Sequence, residues 1–146
     1  MPPPTGKSGG DATAVRLETR TGKIIFLVSL YLPFEYPDPP GQVVEELVTK
    51  LGGKGGLIVG CDANAHHSQW GSSNTNARGE SIFDFILTHN LKICNRGKEA
   101  TLCNKNGEEV IDLTLTNMDE SLILNWKVST ECSFSDHRKK KHSKFR

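Results

Sequence analysis

Apolar residues follow two different spacings along the chain, and these spacings predict where strands and helices lie. Residues 13–19 alternate between apolar and polar side chains, which is typical of a strand with one buried face. Residues 23–31 are almost continuously apolar, which is typical of a central strand covered on both faces. Gly22 lies between the two runs and permits a tight turn. We therefore expect the two strands to form a hairpin.

Two later segments have the spacing of amphipathic helices. Apolar residues recur at helical intervals from Val43 to Leu51, and Gly52-Gly53 then provides a stop signal. A long polar loop is predicted at residues 68–79, and a second helix follows it. The apolar face of this second helix is predicted to contain Ile82, Phe83, Phe85, Ile86 and Leu91.

The other apolar runs are short enough to be strands. They lie at residues 57–61, 92–95, 101–103, 110–116 and 122–128. Because many strands accompany only two helices, the chain is expected to be an α/β (α+β) protein. Its sheets should be mixed, mostly antiparallel, and flanked by the helices.

The composition is that of one globular domain with a modest core. The chain has 146 residues, of which 36% are hydrophobic and 24% charged. It has no run of roughly 20 apolar residues that could span a bilayer, and its first residues lack the pattern of a secretory signal. We therefore expect an intracellular protein without membrane contact. Residues 1–12 are rich in proline and glycine and are predicted to be disordered.

The net charge of +1 conceals an uneven distribution. Residues 138–146 hold six of the 18 basic residues, which leaves 12 basic against 17 acidic residues in the rest of the chain. Such a basic tail could bind phosphates or act as a nuclear signal. A solvated, disordered end is the simpler interpretation of the same residues.

Candidate chemistry is concentrated where the strand at residues 57–61 ends. The next residues include a carboxylate, Asp62, and a carboxamide, Asn64, followed by His66 and His67. Polar residues that follow a buried strand are held by the sheet and can be aimed at a metal, a water or a phosphate. The two histidines are interpreted as loop residues rather than metal ligands.

Other positions carry chemistry that is weak when each is taken alone. Asp112 lies inside an apolar strand, where a carboxylate needs a cationic or imidazole partner. Ser135-Asp136-His137 places a second carboxylate beside an imidazole, and Tyr31 ends an apolar strand with a phenol. Asn106-Gly107 predicts a tight hairpin turn at residues 104–107. Trp70 and Trp126 are interpreted as packing anchors.

The order of these features resembles that of the endonuclease/exonuclease/phosphatase superfamily. The resemblance covers residues 13–137 and implies a partial four-layered α/β sandwich. Asn76-x-Arg78-Gly79 and Asn95-Arg96-Gly97 are similar to motifs of one subgroup, the apurinic-type endonuclease domain of jockey-like non-LTR retrotransposons. In order along the chain, the matching features are Tyr31, residues 60–67, Trp70-Gly71-Ser72, Thr101, residues 111–115, Trp126 and Ser135-Asp136-His137.

The resemblance implies Mg²⁺-dependent (or Mn²⁺-dependent) nicking of DNA that primes a linked reverse transcriptase, in the nucleus. Asp62 would activate the attacking water and contact the metal together with Asp136. Asn64 would hydrogen-bond the scissile phosphate or that water, and Tyr31 would contact the phosphate. His137 would do the same, with its imidazole oriented by Asp112. The hairpin predicted at residues 104–107 could contact a DNA groove through Asn106, with Lys105 on a phosphate.

The chain departs from the superfamily pattern at both ends. A complete domain has a further N-terminal half that supplies an asparagine and the chief metal-binding glutamate, and nothing before Tyr31 matches either. Such a chain would leave one apolar sheet face uncovered. An alternative function is therefore a non-catalytic nucleic-acid-binding or interaction module that uses the basic tail. Hydrolysis of a phosphoinositide or nucleotide monoester is a third possibility, against which the retrotransposon-like motifs argue.

Overall fold

The computed structural model describes residues 11–35, 38–105, 107–123, 126–129 and 140–141. Short 3₁₀ turns lie at Ser68–Trp70 and Glu120–Leu122. The strands and helices are, in chain order, β1 Asp11–Glu18, β2 Ile24–Tyr31, α1 Gln42–Gly52, β3 Gly56–Asp62, α2 Ala77–Thr88, β4 Lys92–Ile93, β5 Leu102–Asn104, β6 Gly107–Glu109, β7 Asp112–Thr116, β8 Lys127–Val128 and β9 Lys140–Lys141.

A five-stranded mixed sheet in the order β1-β2-β3-β7-β4 forms the centre of the molecule. The β1–β2, β3–β7 and β7–β4 pairs are antiparallel, whereas β2 and β3 run parallel and are joined through α1. β5 and β6 form a separate hairpin, and β8 pairs with β9. The predicted mixed and mostly antiparallel architecture is confirmed.

One face of the sheet packs against both helices. Val44 and Val48 of α1 are one helical turn apart and are buried, as are Ile82 and Ile86 of α2. They pack on alternate residues of the sheet strands, because side chains two positions apart along a strand share a face. None of the helices that the structure describes has the length and apolar character needed to cross a bilayer. The strand residues in this core include Phe26, Val28, Leu30, Leu57, Val59, Cys61, Leu113 and Leu115.

The opposite face of the sheet, here called the second face, carries a smaller apolar cluster. Ile25 and Ile58 pack there with Trp126 and Val128, which follow β7 in the chain. The Trp126 indole Nε1–H donates to Thr114 Oγ1 over 3.0 Å, so its polar atom is satisfied in a buried place. Trp126 is thus a packing anchor, as expected, and Trp70 is one in the helix-side core.

The prediction that the first strand has one buried face is wrong. All eight residues of β1 are exposed, including Val15 at 52% and Leu17 at 40%. β1 pairs with β2 at the edge of the sheet, and both helices pack farther in. The apolar alternation of β1 is real, but no described residue buries either of its faces.

Several other boundaries differ from expectation. α2 begins at Ala77 rather than near Ile82, because the Asn76 side chain accepts the Gly79 N–H and caps the helix. It ends at Thr88, so Leu91 packs from outside the helix. Of the strand expected at residues 122–128, the described residues form β8 at Lys127–Val128, while Leu122 ends a 3₁₀ turn. In the basic tail, residues 140–141 form β9, and the rest of the tail, like residues 1–10, lies outside the described residues.

Candidate active site

Three of the predicted site residues form a row across neighbouring strands. Tyr31 is the last residue of β2 and pairs with Asp62, the last residue of β3. Asp62 in turn pairs with Asp112, the first residue of β7. Paired residues on adjacent strands point to the same side, and alternation along β2 and β3 places all three side chains on the second face. The sheet therefore holds a phenol and two carboxylates side by side at one end.

The three residues of the row become less exposed to solvent from Tyr31 to Asp112. Tyr31 is exposed by 46%, Asp62 is half-buried, and Asp112 is only 4% exposed. Residues directly opposite in an antiparallel pair have Cα atoms about 4.5–5.5 Å apart, so the two carboxylates lie close together. The sheet therefore sets two carboxyl side chains next to each other at the inner end of the row.

The chain beyond β3 is fixed by backbone hydrogen bonds to its neighbours. Leu32 N–H donates to the Asp62 carbonyl over 2.9 Å, and Ala63 N–H donates to the Ile111 carbonyl over 3.0 Å. Asn64 then adopts the left-handed region with φ 47°, which asparagine tolerates better than most residues. Its side-chain Nδ2 donates to the Leu32 carbonyl over 3.0 Å. Asn64 is thus held next to Asp62 at the end of β2.

The backbone of Asp112 is positioned by two polar side chains. The fully buried Thr101 hydroxyl accepts hydrogen bonds from Ile111 N–H at 3.0 Å and Asp112 N–H at 3.1 Å. Asn95 uses both ends of its amide, donating to the Asp112 carbonyl and accepting from Thr114 N–H, each over 2.9 Å. Sequence reasoning noted Thr101 and Asn95 only as motif residues, and the structure gives them this supporting role.

The two histidines are loop residues, as expected. His67 is buried, its ring contacts the tilted rings of Trp70 and Phe83 with centroids 5.1 and 4.5 Å away, and its Nδ1 accepts the Gln69 N–H. His66 Nδ1 lies 2.6 Å from Asn74 Oδ1. Both rings thus have structural partners, and neither lies in the row of site residues.

The predicted hairpin is present and is joined to the loop after β3. β5 and β6 pair on either side of residues 105–106, with Gly107 at φ 127°. Lys105 is exposed at the turn, while Asn106 lies outside the described residues. At the base of the hairpin, Ser72 Oγ donates to the Val110 carbonyl over 2.6 Å. The hairpin is thus anchored directly before β7, two residues from Asp112.

Glu109 strengthens this anchor. Its Oε2 accepts the Ser73 hydroxyl over 2.5 Å, and its Oε1 accepts the Ser73 N–H over 2.9 Å. Burial opposes ionisation of the carboxyl, but these hydrogen bonds, the Val110 N–H and the nearby His66 outweigh it and lower the pKa of Glu109. The ionised carboxylate therefore ties the hairpin to the loop.

Arg78 is a residue of the site region to which sequence reasoning gave no role. Its guanidinium donates to the backbone carbonyls of residues 32–34 and 63–64, which follow β2 and β3. Burial lowers the pKa of Arg78, and the negative charge of Glu35 opposes that shift. The signal in the sequence was its place in the Asn76-x-Arg78-Gly79 motif.

The remaining predicted site residues, Asp136 and His137, lie outside the described residues. Among the residues that the structure does describe, no group of three or more His, Cys, Asp or Glu side chains is arranged to hold a metal ion. The described part of the site thus supplies two neighbouring carboxylates, a phenol and an amide.

Comparison with protein families agrees with this arrangement. The sequence model described as "Endonuclease-reverse transcriptase" matches residues 25–140, most of the chain. The chain belongs to this endonuclease-reverse transcriptase family. No curated protein sequence shows significant similarity to it.

Solved structures show the same fold. The endonuclease domain of TRAS1, a telomere-specific non-LTR retrotransposon, is 30% identical, with a TM-score of 0.75 over 87% of this chain and 58% of that one. The Xenopus laevis APE2 catalytic domain is 17% identical, with a TM-score of 0.61 over 93% and 55%. The human Nocturnin catalytic domain is 17% identical, with a TM-score of 0.58 over 94% and 54%.

The family assignment and these structures confirm the endonuclease/exonuclease/phosphatase fold expected for the chain. The chain spans somewhat more than half the length of each of the three structures.

Proposed function

We propose that this endonuclease-reverse transcriptase family member hydrolyses a phosphodiester bond of DNA at the row formed by Tyr31, Asp62 and Asp112. The observation that carries the proposal is the register of β2, β3 and β7, which sets these three side chains side by side on the second face. Asn64 follows directly and is fixed by its bond to Leu32. The resulting strand-end site suits a phosphate, because groups on a rigid sheet stay aligned with the reacting atoms.

The carboxylates of Asp62 and Asp136 are of the chemical type that binds a divalent cation. Mg²⁺ (or Mn²⁺) prefers hard oxygen ligands and is commonly held by one or two carboxylates with several waters retained. Asp62 and Asp136 are the residues we assign to hold it. When bound, the ion would supply positive charge that offsets the negative charge of the reacting phosphate.

The chain's own residues orient the nucleophile and the phosphate. Asp62 orients the attacking water and accepts its proton. The Asn64 amide has two N–H donors, of which one binds the Leu32 carbonyl, and the other suits a phosphate oxygen. The Tyr31 hydroxyl, exposed at the outer end of the row, contacts the same phosphate. Asp112, in the interior, orients the imidazole of His137 toward it.

The expected product is a nick that ends in a 3′-hydroxyl. Water adds to phosphorus, the bond from phosphorus to the 3′ oxygen breaks, and that oxygen takes up a proton. A 3′-hydroxyl is what a reverse transcriptase extends, so the proposed partner is a linked reverse transcriptase domain. Because the proposed substrate is target DNA, the proposed site of action is the nucleus.

The β5–β6 hairpin is the proposed DNA-groove contact. Lys105 is exposed at its turn and would neutralise a phosphate, and Asn106 would face the groove beside it. The hairpin is anchored close to Asp112 by Ser72 and Glu109. Its distance from the scissile bond is therefore set by the same sheet that carries the carboxylates.

Plasmid nicking tests the proposal. Supercoiled DNA incubated with the chain and Mg²⁺ or Mn²⁺ should relax to open circles, and EDTA should stop the reaction. Asp62→Ala should lower the rate on the order of 1,000-fold, the size of effect expected when a positioned general base is lost. Asp84→Ala is the matched control, because Asp84 is an exposed carboxylate on α2.

Two outcomes would contradict the proposal. Metal-dependent nicking that Asp62→Ala leaves intact would place the chemistry elsewhere. No nicking, together with salt-sensitive DNA binding that Asp62→Ala does not change and deletion of residues 138–146 abolishes, would identify a non-catalytic binding module.

A further inference from the structure

The guanidinium of Arg78 joins the chain segments that follow two neighbouring strands. Nε donates to the Asn64 carbonyl at 3.0 Å, and Nη1 donates to the Phe34 carbonyl at 3.2 Å. Nη2 lies 3.1 Å from the Pro33 carbonyl and 3.3 Å from the Ala63 carbonyl. A longer contact, 3.5 Å, reaches the Leu32 carbonyl, which also accepts the Asn64 side chain.

The start of α2 brings Arg78 to this place. Asn76 Oδ1 accepts both the Gly79 N–H at 2.8 Å and the His66 N–H at 3.2 Å, so the helix cap is also a bond to the loop after β3. Asn76 N–H donates to the His66 carbonyl in return, over 3.1 Å. Gly79 packs so closely on this carbonyl that a Cβ atom would overlap it. All three named residues of the Asn76-x-Arg78-Gly79 motif thus join the start of α2 to the loop after β3, and Arg78 also reaches the segment after β2.

We propose that Arg78 is a positioning residue, which sets the distance between the end of β2, with Tyr31, and the end of β3, with Asp62 and Asn64. This inference rests on the proposed nuclease function for its catalytic consequence, but the junction itself is a property of the fold. Arg78 acts through backbone carbonyls, not by touching the substrate. It keeps Tyr31 at the end of β2 aligned with Asp62 and Asn64 at the end of β3.

Arginine suits this role for a geometric reason. A guanidinium presents five N–H donors in a rigid plane, so one side chain can reach carbonyls on two segments at fixed angles. Lysine has the same charge but only three donors on a flexible stem, and it cannot reproduce that pattern. The Phe34 ring lies 5.8 Å from the guanidinium carbon and adds a second contact that favours a flat cation.

An arginine near a nuclease site could instead bind a DNA phosphate. The bonds to carbonyls argue against that role, because all three nitrogens of Arg78 are already engaged with the backbone. The two roles differ in a measurable way. Removing a phosphate contact reduces the slope of log affinity against log salt by about 1, whereas removing a positioning residue leaves that slope unchanged.

The test compares Arg78→Lys and Arg78→Ala with Arg96→Lys and Arg96→Ala. Arg96 is a control because it too donates to a backbone carbonyl, that of Ile123, which does not belong to the segments after β2 and β3. Both Arg78 variants should lower kcat on the order of 100-fold, the effect expected when reacting groups move by about 1 Å, with little change in KM. Added guanidinium, well below denaturing concentrations, should restore part of the rate of Arg78→Ala, whereas urea should not.

Hydrogen exchange gives a second readout that needs no activity. In Arg78→Lys, the amides of Leu32 and Ala63, which bond across the strand ends, should exchange faster, while amides within β3 stay protected. Unchanged kcat and unchanged exchange in Arg78→Lys would overturn the proposal, as would a reduced salt slope for DNA binding. If the wild-type chain does not nick DNA, the proposed function fails. The exchange result alone then decides the role of Arg78.

Discussion

Thr101 offers a sharp test of how the buried end of the site is held. Its hydroxyl oxygen accepts two backbone N–H groups, those of Ile111 and Asp112, and the residue is fully buried. Thr101→Val replaces the hydroxyl with a methyl of nearly the same size, so the cavity stays filled while both donors lose their acceptor. The substitution therefore isolates the hydrogen bonds from the packing.

The expected cost follows from those two bonds. A buried donor left without a partner costs about 1–3 kcal/mol, so two of them give roughly 2–6 kcal/mol, and we expect about 3 kcal/mol after local adjustment. Thr101→Ser keeps the acceptor and loses one methyl, which costs about 1 kcal/mol. The valine variant should thus be less stable than the serine variant by about 2 kcal/mol. Thr88→Val, at an exposed position of α2, should change stability little.

Urea unfolding followed by tryptophan fluorescence measures these differences. With a slope of about 2 kcal/mol per molar urea, the Thr101→Val midpoint should fall by about 1.5 M. The nicking rate should fall as well, because the Asp112 backbone is no longer fixed. A Thr101→Val protein as stable as Thr101→Ser would refute the claim that this hydroxyl holds the start of β7.

Three further predictions concern other parts of the site. Gly79→Ala should destabilise the chain by more than about 2 kcal/mol in urea unfolding, because its Cβ would overlap the His66 carbonyl. Gly52→Ala on α1 is the control and should be neutral or stabilising. Equal effects of the two substitutions on stability would contradict the close approach of Gly79 to His66. The lowered pKa of Glu109 means that its stabilisation is complete above the unfolded-state pKa and is lost as pH falls through the folded value. Stability should therefore fall less between about pH 5 and pH 3 in Glu109→Gln than in the wild type, and identical pH profiles would show that the anchor contributes nothing. Lys105→Ala should weaken DNA binding and reduce the salt slope by about 1, whereas Lys50→Ala on α1 should not; a Lys105→Ala slope equal to that of the wild type would exclude the phosphate contact.

The parts of the fold that depend on local pattern could be predicted from the sequence. β2, β3 and α1 have uninterrupted apolar or helical spacing and lie close to their expected positions. The sequence pattern predicts too late a start for α2, because the capping signal at Asn76 lies inside a polar stretch that also has the composition of a loop. Residue propensities alone do not distinguish a helix start from a loop in such a stretch.

The exposed β1 shows a different limit of sequence reasoning. Alternation in residues 13–19 indicates that one face is suited to burial, but it does not say what covers that face. In the described structure the helices lie over the inner strands, and Val15 and Leu17 remain exposed. Burial is a property of the packed structure, and periodicity reports only the capacity for it.

The residues of the candidate site also differ in whether the sequence could predict them. Asp62, Asn64, Asp112 and Tyr31 could be named because their order along the chain resembles that of a known superfamily. The role of Arg78 could not, because its carbonyl partners lie up to 46 residues away in the sequence and backbone acceptors leave no side-chain signature. The catalytic and binding roles of all these predicted residues, like those of Asp136, His137 and Asn106, stay predictions.

Asp62 is proposed to activate the water that attacks the phosphodiester at the end of β3. Single-turnover cleavage of a labelled DNA duplex by the wild type, Asp62→Asn and Asp84→Asn, in Mg²⁺, is the decisive measurement. We expect a nick with a 3′-hydroxyl that a polymerase extends, and a rate on the order of 1,000-fold lower for Asp62→Asn but not for Asp84→Asn. Equal rates for Asp62→Asn and the wild type, or a nick that no polymerase can extend, would contradict it.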